Sequence, residues 1–286
     1  TGFDLNPLNP AVVYISASCS SRVVVGRSTD AGATWRSFVC DSTEGRSGGP
    51  VAVDRSDTNV VCCAGYASDR RTFVYRSTDR GETWTGAQAG NGYVPYALLV
   101  SSADNRVILV GTYGSGILRS TDAGATWTRT GTMSDYVYCL AETPQSPEVV
   151  YASTNLGVYR SADTGRTWVG AGTELGKDVY TVFADPADDS TVYCASRAGM
   201  HRSHDRGNSW QLLMTEFPFS RISAIGLAPS DPGVLYVESD DNTVYSSTDN
   251  GETWTRCPYF LSCGLICGFL VDPVDPQTVW ALEGSG

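Results

Sequence analysis

Short apolar stretches recur along the whole chain in a fixed order, each bounded by Gly, Pro or Asp. One round of the pattern runs Val179-Tyr180-Thr181-Val182-Phe183-Ala184 before Asp185-Pro186, then Thr191-Val192-Tyr193-Cys194-Ala195-Ser196. After a turn at Gly199 it continues through His201-Arg202-Ser203 and restarts at Ser209-Trp210. Runs of this length, rich in Val, Tyr and Thr and closed by turn residues, predict β-strands. No helical period extends beyond a turn or two. The pattern predicts a unit of four short strands, A to D. Val149-Val150-Tyr151-Ala152 and Val234-Leu235-Tyr236-Val237 are further B strands, and Gly157-Val158-Tyr159-Arg160 is a C strand.

Between strands C and D lies Ser-x-Asp-x-Gly-x-Thr-Trp, beginning at Ser28, Ser77, Ser120, Ser161, Ser203 and Ser247. The fifth copy has Ser209 in place of threonine. The closing tryptophans, Trp35, Trp84, Trp127, Trp168, Trp210 and Trp254, follow one another at 49, 43, 41, 42 and 44 residues. A β-rich period in the low forties is the mark of propeller blades. Small sheets of this kind cannot bury both faces alone and must stack on their neighbours. Within the motif, aspartate and serine suit local turn hydrogen bonds, and glycine supplies a positive φ. Asp30, Asp79, Asp122, Asp163, Asp205 and Asp249 are therefore structural; a catalytic acid is not needed six times at one turn.

These motifs resemble the Asp-box (BNR) repeats of sialidases, xyloglucan-active endoglucanases, sortilin-type receptors and a photosystem assembly factor. The resemblance implies an all-β β-propeller of four-stranded antiparallel blades, with the Asp boxes on the face away from any active site. The expected single domain, 1–286, has blades at about 1–39, 50–88, 95–130, 136–171, 178–214 and 221–257, with a partial blade at 264–286. Gly268 to Pro273 and Thr278 to Leu282 match strands A and B of that seventh unit. Because the chain already starts on an A strand, either it is part of a larger polypeptide or a half blade closes the ring. A seven-bladed ring is expected, as is common for this repeat family.

A net charge of −11 disfavours a nucleic-acid partner. No run approaches the roughly 18–20 apolar residues of a membrane span. Thr1-Gly2-Phe3-Asp4 lacks the basic and apolar regions of a leader, an absence without weight in a mature or trimmed form. Nine cysteines are many for an intracellular propeller. Cys19 and Cys40 flank the first motif, and Cys257, Cys263 and Cys267 cluster near the end; these are the disulfide candidates, in a secreted or extracellular setting. With neither CxxC pairs nor interleaved histidines, no metal site and no cofactor are expected.

If the Asp boxes mark one face, binding belongs on the other, where the D-to-A and B-to-C connections lie. There the candidates are Tyr93, Tyr113, Tyr136, Glu174, Phe217, Phe219, Arg221, Tyr259 and Phe260, a mixture of rings and charges suited to a glycan or protein partner. Tyr96, Tyr138 and Tyr180, in strand A, are expected to line the core. Glycoside cleavage needs two carboxylates about 5–9.5 Å apart, and Asp135 and Asp178, just before strand A in successive blades, are the best pair. A sialidase is disfavoured: no Arg-Ile-Pro occurs, and Arg76, Arg119, Arg160 and Arg202 stand at repeat positions before the Asp-box serine. The leading expectation is a secreted non-enzymatic propeller that binds a glycan or protein, or builds an extracellular structure. The alternative is a polysaccharide hydrolase resembling the xyloglucan-active endoglucanases. Short connections favour the former.

Overall fold

The computed structural model describes residues 2–131, 136–172, 175–213, 222–239, 243–257, 266–272 and 274–283. Its strands pair with sequential neighbours throughout. The first sheet holds β1 (Gly2–Leu5), β2 (Val13–Cys19), β3 (Arg22–Ser28) and β4 (Arg36–Val39). The second holds β5 (Arg46–Val53), β6 (Val61–Ala67), β7 (Thr72–Ser77) and β8 (Thr85–Gly90). The third holds β9 (Val94–Val100), β10 (Ile108–Tyr113), β11 (Ile117–Ser120) and β12 (Thr128–Thr130). The fourth is β13 (Val137–Glu142), β14 (Val150–Thr154), β15 (Gly157–Ser161) and β16 (Val169–Gly170). The fifth is β17 (Val179–Ala184), β18 (Val192–Ser196), β19 (Gly199–Ser203) and β20 (Gln211–Leu212). The sixth is β21 (Ile222–Ala228), β22 (Asp231–Ser239), β23 (Val244–Ser247) and β24 (Thr255–Arg256). A two-stranded sheet of β25 (Ile266–Val271) and β26 (Val279–Glu283) follows. Six four-stranded antiparallel blades and a partial seventh are what the repeat predicts.

The chain divides into two compact units, Thr1–Leu140 with Ala162–Trp168, and Ala141–Ser161 with Val169–Gly286. In the first, Tyr14, Val23 and Val25 of the first blade pack with Val51, Val61 and Tyr75 of the second. Strand alternation sends Cys62 to the opposite side, against Val100 and Ile108 of the third blade. In the second unit Tyr193 and Ala195 pack on Ile225, Leu235 and Val237 of the sixth blade. Tyr236 and Val244 pack in turn on Phe269 and Val271 of β25. Each B strand is thus apolar on both faces, as a sheet covered on both sides requires.

The Asp box is a closed hydrogen-bond circuit. In the third copy, Ser120 Oγ donates to Asp122 Oδ1 (2.8 Å) and accepts from the Gly124 N–H (2.9 Å). The Thr126 N–H and hydroxyl reach the two Asp122 oxygens at 2.8 and 2.5 Å, and Trp127 Nε1 donates to the Gly124 carbonyl at 2.9 Å. Asp30, Asp79, Asp205 and Asp249 take the same bonds from serine and threonine, with Ser209 Oγ standing in for threonine at 2.6 Å. Asp163 receives the Thr167 N–H and hydroxyl at 2.7 and 2.6 Å. The glycine is left-handed, as expected, but so is the residue before it: Ala31, Arg80, Ala123, Thr164, Arg206 and Asn250 have φ of 53–61°. Single non-glycine residues hold this conformation only when surrounding bonds fix it.

Those bonds are visible. The N–H of Ala31, Arg80, Ala123 and Arg206 donates at 2.9 Å to the A-to-B turn of its own blade. In four of the boxes the carbonyl of the left-handed residue accepts from an arginine of the preceding blade. Arg27 reaches Arg80 O (2.7 Å), Arg119 reaches Thr164 O (2.8 Å), Arg160 reaches Arg206 O (3.1 Å) and Arg202 reaches Asn250 O (3.0 Å). Arg27, Arg119, Arg160 and Arg202, each just before an Asp-box serine, are therefore inter-blade clamps, which accounts for their recurrence.

Candidate functional site: a tyrosine strip at the end of the sheets opposite the Asp boxes

In an antiparallel blade the B-to-C turn and the C-to-D turn sit at opposite ends. Tyr113 closes β10 at the B-to-C end, and Tyr136 immediately precedes β13. Their backbones form an antiparallel bridge, and their rings stack at 4.3 Å with 29° between planes. Tyr96 joins them, its ring centroid 5.7 Å from that of Tyr113. This spacing lies within the range of favourable aromatic pairs. Tyr96 and Tyr113 remain 52% and 44% exposed, so the ladder has open ring surface.

Tyr96 overturns its expected place in the core. Ala97 pairs with Gly111 and Pro95 with Thr112, which leaves Tyr96 as the extra residue of a β-bulge. A bulge breaks inside–outside alternation and re-aims the extra side chain. The equivalent bulge in β17 falls between Val179 and Thr181 and contains Tyr180. Tyr138 and Tyr180 are half-buried, and Tyr180 OH accepts from Arg197 Nε at 3.1 Å. Gly111 lets the strip close up: a Cβ there would lie 2.7 Å from Val137 Cγ1, beside Tyr136.

Tyr93 leads from the strip toward a charged cluster. Its N–H donates to Arg70 O (2.7 Å) and its carbonyl accepts from Thr72 Oγ1 (2.7 Å). At the same end of the second blade, the Arg46 guanidinium lies 3.6 Å above the Phe73 ring and is paired with Asp41. Arg46 also donates to Tyr75 OH (2.8 Å), which donates to Asp41 (3.0 Å). Burial acts to raise the Asp41 carboxyl, but hydrogen bonds from Thr43 and Tyr75 and the Arg46 charge outweigh it and hold the group below the usual range. Arg71, paired with Asp69 at 2.7 Å, also lies 5.6 Å from the centre of the Phe73 ring.

Of the remaining candidates, Glu174, Phe217, Phe219, Arg221, Tyr259, Phe260, Cys263 and Asp135 lie outside the described residues. Asp178, the other half of the proposed acid pair, has φ 59° and an ion pair with Arg197 at 3.1 Å. The structure also brings out Glu238, a fully buried acid in β22 that the sequence reading left unassigned. By register from the Asp-box serine, the other blades of this unit place Ser153 and Ala195 there. No repeat signal marks it, because it departs from the repeat.

The disulfide candidates Cys19 and Cys40 are unbridged. Cys19 is exposed at the end of β2 while Cys40 is buried in the core, and both are free thiols, as is Cys257. Among the described residues no cluster of three or more His, Cys, Asp or Glu is arranged to hold a metal. His201 is buried, which pushes its pKa down, and His204 Nδ1 is bonded to Thr191 Oγ1 at 2.9 Å. No helix among the described residues is long and apolar enough to cross a membrane. A groove of about 470 Å³ lies at the Asp-box end of the first two blades, lined by Asn6, Asn9, Arg80 and Asp79. The Arg27–Glu82 ion pair (2.7 Å) borders it, so its walls are the inter-blade clamp.

A sequence profile of the Sortilin-Vps10 family (sortilin, neurotensin receptor 3) matches residues 156–275. No curated protein sequence matches the chain. Among solved structures it is similar to the GH74 xyloglucanase of Xanthomonas campestris, at 19% identity and TM-score 0.77, over 100% of this chain and 51% of that one. It is also similar to YCF48 of Cyanidioschyzon merolae, at 14% identity and TM-score 0.67, over 98% and 91% of the two chains. YCF48 bound to D1 peptide matches at 14% identity and TM-score 0.65, over 89% and 80%. The chain spans about half the length of the xyloglucanase. At these identities the likeness is one of fold, and the chain is a repeat β-propeller resembling these proteins.

Proposed function

We propose that this propeller is a secreted, non-enzymatic binding module, and that the Tyr96–Tyr113–Tyr136 ladder is its contact surface for a neutral glycan. The observation that carries this reading is the ladder itself: three rings in contact, with two of them about half exposed. Exposed rings on a rigid sheet end offer flat apolar area at little ordering cost, which suits the C–H faces of sugar rings. The Arg46–Asp41–Tyr75 and Arg71–Asp69 groups, at the same end of the second blade, supply hydroxyl partners. The secreted setting rests on the number of cysteines. Affinity electrophoresis through gels containing soluble xyloglucan or mixed-linkage glucan tests the reading. Retardation by at least one glucan, lost in Tyr96→Ala and Tyr113→Ala with the fold intact, is expected. Unretarded wild-type protein in every gel rejects it.

Hydrolysis is the second reading, favoured by the likeness to a GH74 xyloglucanase over the whole chain. Incubation with xyloglucan and measurement of new reducing ends separates the two: release of ends establishes catalysis, and binding without release supports the module.

A further inference from the structure

Asn-Gly occurs at Asn91-Gly92 and again at Asn250-Gly251, and the fold treats the two pairs in opposite ways. Such a pair is prone to attack by the glycine nitrogen on the asparagine Cγ, because glycine has no side chain to hinder the approach. In the sixth Asp box that nitrogen is engaged. The Gly251 N–H donates to Ser247 Oγ at 2.9 Å in a buried bond. Asn250 is held on both sides: its N–H donates to Gly233 O (3.1 Å) and its carbonyl accepts from Arg202 (3.0 Å). Gly251 is also hemmed in, since a Cβ there would lie 2.9 Å from Leu213 Cδ1.

Asn91, Gly92 and Tyr93 connect β8 to β9, and the first two are exposed. Nothing lies within 4 Å of the place a Gly92 Cβ would take. Among the described residues the Gly92 N–H has no hydrogen-bond partner. The Asn91 amide, by contrast, is polarised. Gln88 Nε2 donates to Asn91 Oδ1 at 2.6 Å, so a donor is already in place for the charge that develops on this oxygen under attack.

We propose that Asn91 is a site of spontaneous deamidation, assisted by Gln88, and that its Asp box shields Asn250 from the same reaction. Solvent base takes the Gly92 amide proton, and the nitrogen attacks Asn91 Cγ. Nδ2 takes a proton from solvent, the Cγ–Nδ2 bond breaks and ammonia leaves, closing residues 91 and 92 into a succinimide. Water then adds at Cγ, giving aspartate, or at the main-chain carbonyl, giving isoaspartate. One water is consumed and one ammonia released, with nothing oxidised or reduced. The product carries a new negative charge, and in the isoaspartyl form an extra backbone methylene, in the connection that leads into Tyr93.

Ageing the whole protein in mildly alkaline buffer, folded or in urea, tests this. Trypsin yields peptide 81–106, which holds Asn91 and Asn105, and peptide 222–256, which holds Asn242 and Asn250. Fragment masses locate the exchange of NH2 for OH, and isoaspartyl methyltransferase labels the isomerised chain. In the folded protein, conversion at Asn91 is expected to run severalfold faster than at Asn105 or Asn250. In urea Asn250 is expected to catch up with Asn91, because the Asp box no longer holds the Gly251 N–H. Gln88→Ala, at an exposed position, is expected to slow Asn91 severalfold in the folded protein with Tm unchanged, and to leave the rate in urea as it was. An Asn91 that converts no faster than Asn105 in the folded protein overturns the site. An unslowed Gln88→Ala variant overturns the role of Gln88, and an Asn250 that keeps pace with Asn91 in the folded protein overturns the shielding.

Discussion

Arg202 in β19 of the fifth blade donates to the carbonyl of Asn250, the left-handed residue of the sixth Asp box, at 3.0 Å. The same guanidinium reaches Glu252 Oε1 at 2.6 Å, with only 9% of the arginine side chain exposed. One turn residue thus links its own blade, through its N–H to Gly233 O at 3.1 Å, and the preceding one through its carbonyl.

Arg202→Ala removes both contacts and leaves a carbonyl without its partner, so it is expected to cost about 2–3 kcal/mol. Arg202→Lys recovers only part, since one ammonium cannot span carbonyl and carboxylate as a planar fork does. Glu252, 55% exposed, is expected to matter by less than about 1 kcal/mol when replaced by alanine. Urea unfolding of the three variants checks the order.

Acid should loosen the Asp boxes together. The Thr83, Thr126, Ser209 and Thr253 hydroxyls, then the amides and serines, hold Asp79, Asp122, Asp205 and Asp249 at about 2. Their folded pKa lies below the unfolded value of about 3.9. The stability they confer is therefore complete above about pH 4 and is lost as pH falls toward about 2. Tryptophan fluorescence along an acid titration measures it, and Asp122→Asn should flatten the loss in that window. A main transition above about pH 5 would contradict this origin.

Thr164 carries a β-branched side chain at φ 53°. Relief of that strain by glycine is worth about 1–2 kcal/mol, against about 0.4–1 kcal/mol for the freer unfolded chain. Thr164→Gly is therefore expected to raise stability by about 0.5–1 kcal/mol, read as a higher Tm, since the backbone carbonyl that binds Arg119 is kept.

Gly111→Ala drives a methyl to 2.7 Å from Val137 Cγ1. Overpacking of this kind costs about 1–3 kcal/mol, measurable by denaturant unfolding.

The bulge makes a contrast between two tyrosines. Tyr96→Ala, at a side chain 52% exposed, is expected to stay within about 0.5 kcal/mol of wild type. Tyr193→Ala, at a fully buried ring, should lose about 3–5 kcal/mol. Equal losses would place Tyr96 back in the core.

The repeat was legible because its physics is local. Every bond within an Asp box spans at most four residues, as with Ser120 to Gly124 and Asp122 to Thr126. Eight residues therefore encode the turn wherever they occur, and the alternating apolar runs between turns encode the strands. That was enough for six blades and the start of a seventh, and for reading the aspartates as turn residues. Tertiary structure decided whatever depends on partners far along the chain. Arg202 meets Asn250 across 48 residues, and nothing near either position names the other. Cys40 and Cys63 share one buried cluster because two blades stack, although Cys19 lies as close to Cys40 in sequence. Tyr96 faces outward because one extra residue in β9 slips the register against β10, and a period-two pattern cannot register that slip. Local turn energetics fix the blades; the stacking of blade on blade fixes which side chains meet, and with them the clamp and the tyrosine strip.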